Sequence, residues 1–167
     1  MLPYSNAWPL LLSEEAARLQ RALDPWSVGG VHHIGSTAVP GLAAKLIIDM
    51  IAGVDDLGQA RQAIPVLGEL GYQHADHRPH EALRFYKGGG VGTGTRTHQL
   101  RLTRPDSALW LERLTFRDSL RADAQVLEGY QALKRRLAAG SEDLARYTQG
   151  KRAFVSAVLE RAGVTLA

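Results

Sequence analysis

The sequence predicts an α+β fold: a mixed β-sheet with helices packed on one side, followed by a helical C-terminal third. Three observations predict it. The 167 residues, 45% hydrophobic and 22% charged, are enough for one core of ordinary globular composition and too few for two comfortable ones, so residues 1–167 are read as a single domain. Short apolar or alternating runs, bounded by Gly, Pro and Asp, crowd the first hundred residues. From Ser107 the pattern is helical to about Ala162.

Taken in order, Ser13 is a candidate N-cap, with Glu14 and Glu15 in the first turn of a helix that runs to Leu23 and closes at Asp24-Pro25. "GGVHHIG" reads as a strand ending at Gly35, and "LIIDMIAGV", Leu46 to Val54, as a buried second one. Asp55-Asp56 open a helix towards Leu70 that ends at Gly71, with Pro65 imposing a kink or break. "YQHADH" and "LRFYK" give two further strands. "GGGVGTGTR", Gly88 to Arg96, reads as a flexible connection to the strand "THQLRLT", Thr97 to Thr103. The helical third is interrupted near Ala122-Asp123 and Ala139-Gly140-Ser141. No internal repeat is visible.

The bulk chemistry excludes several classes. A net charge of +3 and a pI near 9.4 permit a phosphate-bearing partner without requiring one. The longest basic run, Lys134-Arg135-Arg136, reads as a solvated helix face, which argues against nucleic acid as the partner. With no cysteine, disulfides, thiol catalysis and cysteine metal ligands are ruled out. The N-terminal "MLPYSNAWPLLL" lacks the basic start and cleavage-like end of a signal peptide. Asp49 interrupts the best apolar run well short of the roughly 20 residues of a membrane span. A cytoplasmic protein with no membrane association is the expectation.

One stretch asks for a chemical explanation: "HIGSTAVPGLAAKLIIDMI", residues 33–51. A strand that ends in Gly35-Ser36 and turns offers backbone N–H groups and a hydroxyl to a phosphate, extending to Thr37, and glycine allows close approach. The P-loop pattern is absent, because Gly35 and Gly41 are wrongly spaced and no Gly-Lys-Ser/Thr follows. A plain tight turn is the alternative reading. Asp49 then stands inside an apolar strand, sharing a face with Ile47 and Ile51. An unpaired buried carboxylate costs several kcal/mol, so it calls for a cation, hydrogen-bond donors or solvent. The structural alternative is an ion pair with Lys45, Arg84 or Arg101.

The segment "HIGSTAVPGLAAKLIIDMIAGV" resembles the signature of the GrpB family, bacterial proteins with a nucleotidyltransferase-like fold. The likeness continues in "PYSNAWPLLLSEEAARL", "LGYQ", "RFY", "RTHQLRL", "WLERLTFRDSLRAD", "YQALKRRLA" and "YTQGKRAF", and so covers nearly the whole chain. It implies a nucleotidyltransferase-like mixed sheet and, through relatives linked to dephospho-CoA kinase, nucleotide or transferase chemistry. In nucleotidyltransferases of this broader fold, Gly-Ser is followed by two carboxylates at i and i+2, with a third on a neighbouring strand. Together these hold Mg²⁺ ions on a triphosphate. Gly35, Ser36 and Asp49 match, so the resemblance makes Asp49 the catalytic and Mg²⁺-binding residue. Ile51 stands where the second carboxylate belongs, and Thr97 to Thr103 contain no acid. His98 is kept, but Gln99 and Arg101 replace further histidines often seen in the family. Arg101 puts a permanent cation there, which favours binding an anion over binding a metal.

The remaining candidates are weaker. His74, His77 and His80 with Asp76 read as a surface cluster rather than a metal site. Arg117 and Arg121 share a helix face, and Lys151 with Arg152 follows Tyr147. Each reads as surface pairing or as a phosphate clamp. The expected function is binding of a nucleotide or other phosphate-bearing small molecule through Gly35, Ser36, Thr37, Lys45, Arg84, His98, Arg101, Arg117 and Lys151. Nucleotidyl or phosphoryl transfer at Asp49 would be the reaction if there is one. The alternative is a catalytically silent ligand-binding or protein-interaction module.

Overall fold

The structure is a computed structural model and describes residues 1–88, 95–140 and 144–165. Most of the glycine-rich connection expected over 88–96 lies outside the described residues. Two compact units succeed one another along the chain, Met1–Trp110 and Leu111–Ala167.

In the first unit, helix α1 (Ala7–Leu23) leads into strand β1 (Ser27–Ile34), a 3-10 turn (Ser36–Ala38) and strand β2 (Ile48–Val54). Helix α2 (Leu57–Ala60), a second 3-10 turn (Arg61–Ala63) and helix α3 (Ile64–Glu69) follow. Strands β3 (Gln73–Ala75), β4 (Leu83–Lys87) and β5 (His98–Thr103) complete one sheet in the order β1-β2-β5-β4-β3. β2 and β5 are parallel and every other neighbouring pair is antiparallel, so the sheet is mixed as expected.

Local chemistry explains most boundaries. The first helix begins at Ala7, not Ser13. Pro9 sits in its first turn, where a missing N–H costs nothing, and Ser13 lies mid-helix with its hydroxyl donating to the Pro9 carbonyl. Asp56 caps α2, its Oδ1 accepting from the Gln59 N–H at 2.9 Å. Pro65 starts α3 and so breaks the expected single helix into pieces. β3 keeps only three residues of "YQHADH".

Gly53 permits a close approach between β1 and β2. A Cβ there would sit 1.7 Å from the Val28 carbonyl oxygen, so no larger residue fits beneath the irregular stretch of β1 between Ser27 and Val31.

The period-2 alternation of the strands separates two faces. Ile48, Met50, Ala52 and Val54 of β2, Leu100 and Leu102 of β5, and Leu83 and Phe85 of β4 form the core. They share it with Trp8, Leu19 and Leu23 of α1 and with Ala60, Ala63 and Leu67 of the α2–α3 region. Within this unit the helical core residues lie on that one face. Truncating a fully buried member such as Leu19 to Ala would cost about 2–5 kcal/mol. The opposite face carries Asp49, Ile51, Gln99, Arg101, Arg84 and Tyr86.

The second unit holds the rest of helix α4 (Ala108–Ala122), helix α5 (Ala124–Gly140) and helix α6 (Leu144–Arg161). Asp123 separates the first two, its Oδ1 accepting from the Gln125 and Val126 N–H groups. Phe116, Tyr130 and Phe154 pack ring on ring with centroids 5.3 and 5.4 Å apart, tying the three helices together.

Candidate functional site

Asp49 is the second residue of β2 and the register partner of Ile34, the last residue of β1. The chain therefore leaves β1 directly above the Asp49 side chain. Gly35 makes the turn with φ 74° and ψ −173°, a conformation open in practice only to glycine. A Cβ on Gly35 would lie 3.1 Å from the Asp49 Cβ and 3.2 Å from its Oδ2. The Gly-Ser turn and the strand aspartate, fourteen positions apart, are neighbours with too little space between them for a Cβ.

Thr37 anchors the turn. Its hydroxyl donates to the Ile47 carbonyl at 3.1 Å and lies 2.8 Å from His33 Nε2, and both side chains are buried. With that hydroxyl spent inside the fold, Thr37 serves as a positioning residue for the turn, and its side chain cannot reach an anion. Gly35 is exposed and Ser36 half-buried.

Parallel pairing sets Asp49 beside Gln99 and Ile51 beside Arg101. The guanidinium reaches back one step along the shared face, and Arg101 Nη1 donates to Asp49 Oδ1 at 2.6 Å. The two side chains keep 18% and 19% of their surface, so the pair is reachable from solvent rather than sealed. Of the three cations weighed as partners for the aspartate, Arg101 is the one in contact. Arg101 Nε is buried and has no hydrogen-bond partner among the described residues. Ile51 is fully buried.

The other candidates are dispersed. Arg84 faces Arg101 across the β4–β5 ladder, but its guanidinium donates to the carbonyls of His77, Arg78 and Ala82 and to the Glu81 carboxylate at 2.7 Å. It ties down the β3–β4 loop. Tyr86, opposite Gln99 on the Asp49 face, lies under the Arg96 guanidinium at 4.2 Å. Lys45 is exposed in the segment before β2. His98 lies on the opposite sheet face from Asp49, paired in register with Lys87. Burial, then the Lys87 charge, hold its imidazole below the usual histidine range. Arg117 and Lys151 belong to the second unit, where Arg117 pairs with Asp118 and Lys151 lies over the Tyr147 ring. Among the described residues no three His, Asp or Glu side chains gather as a metal site, the 74–80 histidines included.

One charged group, Glu15, reads in the sequence as a first-turn acid and proves to be a buried mid-helix residue. Glu15, buried on α1, receives hydrogen bonds from the Tyr72 hydroxyl at 2.7 Å and from the Lys87 ammonium, with Arg18 beside it. Burial alone would raise its carboxyl, but Lys87 and Tyr72 outweigh that and hold it below the ordinary value. Burial and Glu15 together push the Tyr72 phenol up. The available signal was spacing: Trp8, Leu12, Glu15, Leu19 and Leu23 fall on one helical stripe, so a carboxylate stands in the apolar face.

A mixed sheet with helices on one face, a Gly-Ser turn seated on a strand aspartate, and a helical C-terminal unit together make this a protein of nucleotidyltransferase-like fold. The GrpB protein family model matches residues 1–161, and the chain belongs to that family. It is 32% identical over 160 residues to UPF0157 protein YqkA of Bacillus subtilis, covering 95% of this chain and 46% of YqkA. A UPF0157 protein of Deinococcus radiodurans is 31% identical, over 96% of this chain and 80% of that one. Thus the chain spans about half the length of YqkA and most of the Deinococcus protein.

The crystal structure of conserved protein GrpB from Enterococcus faecalis superposes with a TM-score of 0.82 at 30% identity, covering 96% of this chain and 94% of that one. Cid1 in complex with its short product ApU matches with a TM-score of 0.54 at 17% identity, over 83% of this chain and 43% of Cid1. At that identity the likeness is one of fold. Among the described residues no helix is long and apolar enough to cross a membrane.

Proposed function

We propose that this chain binds a nucleotide or another phosphate-bearing small molecule at the end of the sheet where Gly35 and Ser36 lie over Asp49. The observation that carries this reading is the close approach of the Gly35 turn to the Asp49 side chain, with the Arg101 guanidinium on that carboxylate. An exposed glycine turn lets an anion approach the backbone, and a guanidinium one step away matches phosphate geometry. The nucleotidyltransferase-like fold supports the same end of the sheet as the ligand site.

Binding is better supported than transfer. Two-metal catalysis needs several anionic oxygens around two ions, about 4 Å apart. Here Ile51 offers none, and Asp49 already receives a hydrogen bond from Arg101. A ligand-binding protein without nucleotidyl transfer is therefore the reading the geometry favours.

A thermal-shift screen of ATP, CTP, GTP, UTP and coenzyme A precursors tests the proposal. A ligand present at about a hundred times its Kd adds roughly 2.7 kcal/mol to the native state, a rise of several degrees in Tm. If no nucleotide or precursor moves the transition, the binding reading fails. Incubation with labelled nucleotide triphosphates, Mg²⁺ or Mn²⁺ and acceptors tests the absence of transfer. Robust turnover abolished by Asp49→Asn would show that one carboxylate suffices.

A further inference from the structure

The fold to which this chain belongs implies Mg²⁺ at Asp49, and the residues present do not fit that ion. Mg²⁺ demands octahedral oxygen ligation and is bound through carboxylates that can turn their oxygens towards it. The single carboxylate here accepts a 2.6 Å hydrogen bond from a guanidinium, which cannot be deprotonated to make room for a second cation. Residue 51 is a buried isoleucine, and β5 presents Gln99 and Arg101 on the Asp49 face. A divalent ion at Asp49 would stand within a few ångströms of a fixed positive charge.

We infer that Arg101 takes the place of the metal ion, so that the phosphate-bearing ligand is bound without a divalent cation. The inference rests on the functional reading above and names the group that holds the charge. Asp49 orients the guanidinium through Nη1, which makes it a positioning residue. Buried Nε carries an N–H with no acceptor among the described residues. Native proteins satisfy buried donors almost without exception, so this unfilled N–H marks a guanidinium with donor capacity to spare. Arg101 is a rigid fork of five donors, of which the aspartate occupies one. It can hold Asp49 on one edge and a phosphate oxygen on another. Arg84 cannot substitute, because its guanidinium is committed to the β3–β4 loop and Glu81.

Two measurements on the full chain test this. In the first, Mn²⁺ is titrated against the protein and free ion is followed by electron paramagnetic resonance. Wild type and Asp49→Asn should retain equally little Mn²⁺. Uptake by wild type that Asp49→Asn abolishes would overturn the inference while leaving phosphate binding intact. In the second, inorganic pyrophosphate is titrated calorimetrically in EDTA and again in Mg²⁺. Binding should persist in EDTA, and Arg101→Gln should weaken it about tenfold or more, the scale of a lost charge-assisted hydrogen bond. The double variant Asp49→Asn/Arg101→Gln replaces the ion pair with two amides and guards against misfolding, checked by its thermal transition. A folded double variant that binds pyrophosphate like wild type would overturn the inference, as would binding that appears only with Mg²⁺. If pyrophosphate and the nucleotides fail to bind under either condition, the functional reading falls together with it.

Discussion

Gly35→Ala is the substitution that most directly joins backbone geometry to the site. At φ 74° and ψ −173° the backbone occupies a region that side chains with a Cβ all but exclude. Holding alanine there costs about 1–3 kcal/mol. The new methyl would also lie 3.1 Å from the Asp49 Cβ, closer than ordinary van der Waals contact. That Cβ belongs to a strand paired on both sides and cannot rotate away. Oδ2, at 3.2 Å, can yield only by disturbing the carboxylate that Arg101 grips. Strain and contact together amount to roughly 2–4 kcal/mol, a fall in Tm of about 5–15 °C. Urea titration at constant pH reads the difference directly. Gly68→Ala is the control: it lies within α3 with nothing inside 4 Å of its Cβ position, and alanine should stabilise it by up to about 1 kcal/mol. A Gly35→Ala protein within about 0.5 kcal/mol of wild type, at unchanged m-value, would refute the conformational argument.

Two further predictions concern the buried charges on the other face. Lys87→Met removes the cation that offsets Glu15 in the core and should destabilise by about 3–5 kcal/mol, read by urea titration, whereas Glu15→Leu/Lys87→Met should recover most of the loss. Stability should also fall with acid in two stages. His98 has a depressed folded pKa, so the unfolded chain takes up its proton first, and stability declines as pH drops through the ordinary histidine value near 6.5. Glu15 is likewise depressed; its contribution is complete above the ordinary carboxyl value near 4.5 and disappears as pH falls through the lower folded value. Burial would raise the Glu81 carboxyl, but Arg84 holds it below the ordinary value too, so in Glu15→Gln/Lys87→Met the second stage should shrink without vanishing, and a wild-type stability flat from pH 7 to pH 3 would contradict both assignments.

Much of the fold was open to local reading, for a definite reason. Strand periodicity and turn chemistry are properties of neighbouring residues, so "LIIDMIAGV" and "THQLRLT" reveal their two faces, and Pro65 and Asp123 their breaks, without any knowledge of what they pack against. The start of α1 was misplaced because Ser13 has the chemistry of a cap, and only the packing of Trp8 and Leu12 on the core holds the helix before it.

What sequence alone could not decide was which distant groups meet. Lys45, Arg84 and Arg101 were equivalent partners for Asp49 until β2 and β5 paired in parallel and set Arg101 one step along the same face. Arg84, its cross-strand neighbour, was diverted by carbonyls of a loop whose path no local rule specifies. Glu15 looked like an acid in a helix's first turn, and only packing against Tyr72 and Lys87, 57 and 72 positions away, made it a buried ion. Periodicity acts over a few residues and assigns each side chain a face. Register across the sheet joins residues tens of positions apart, and the partner of each charge on that face follows from it.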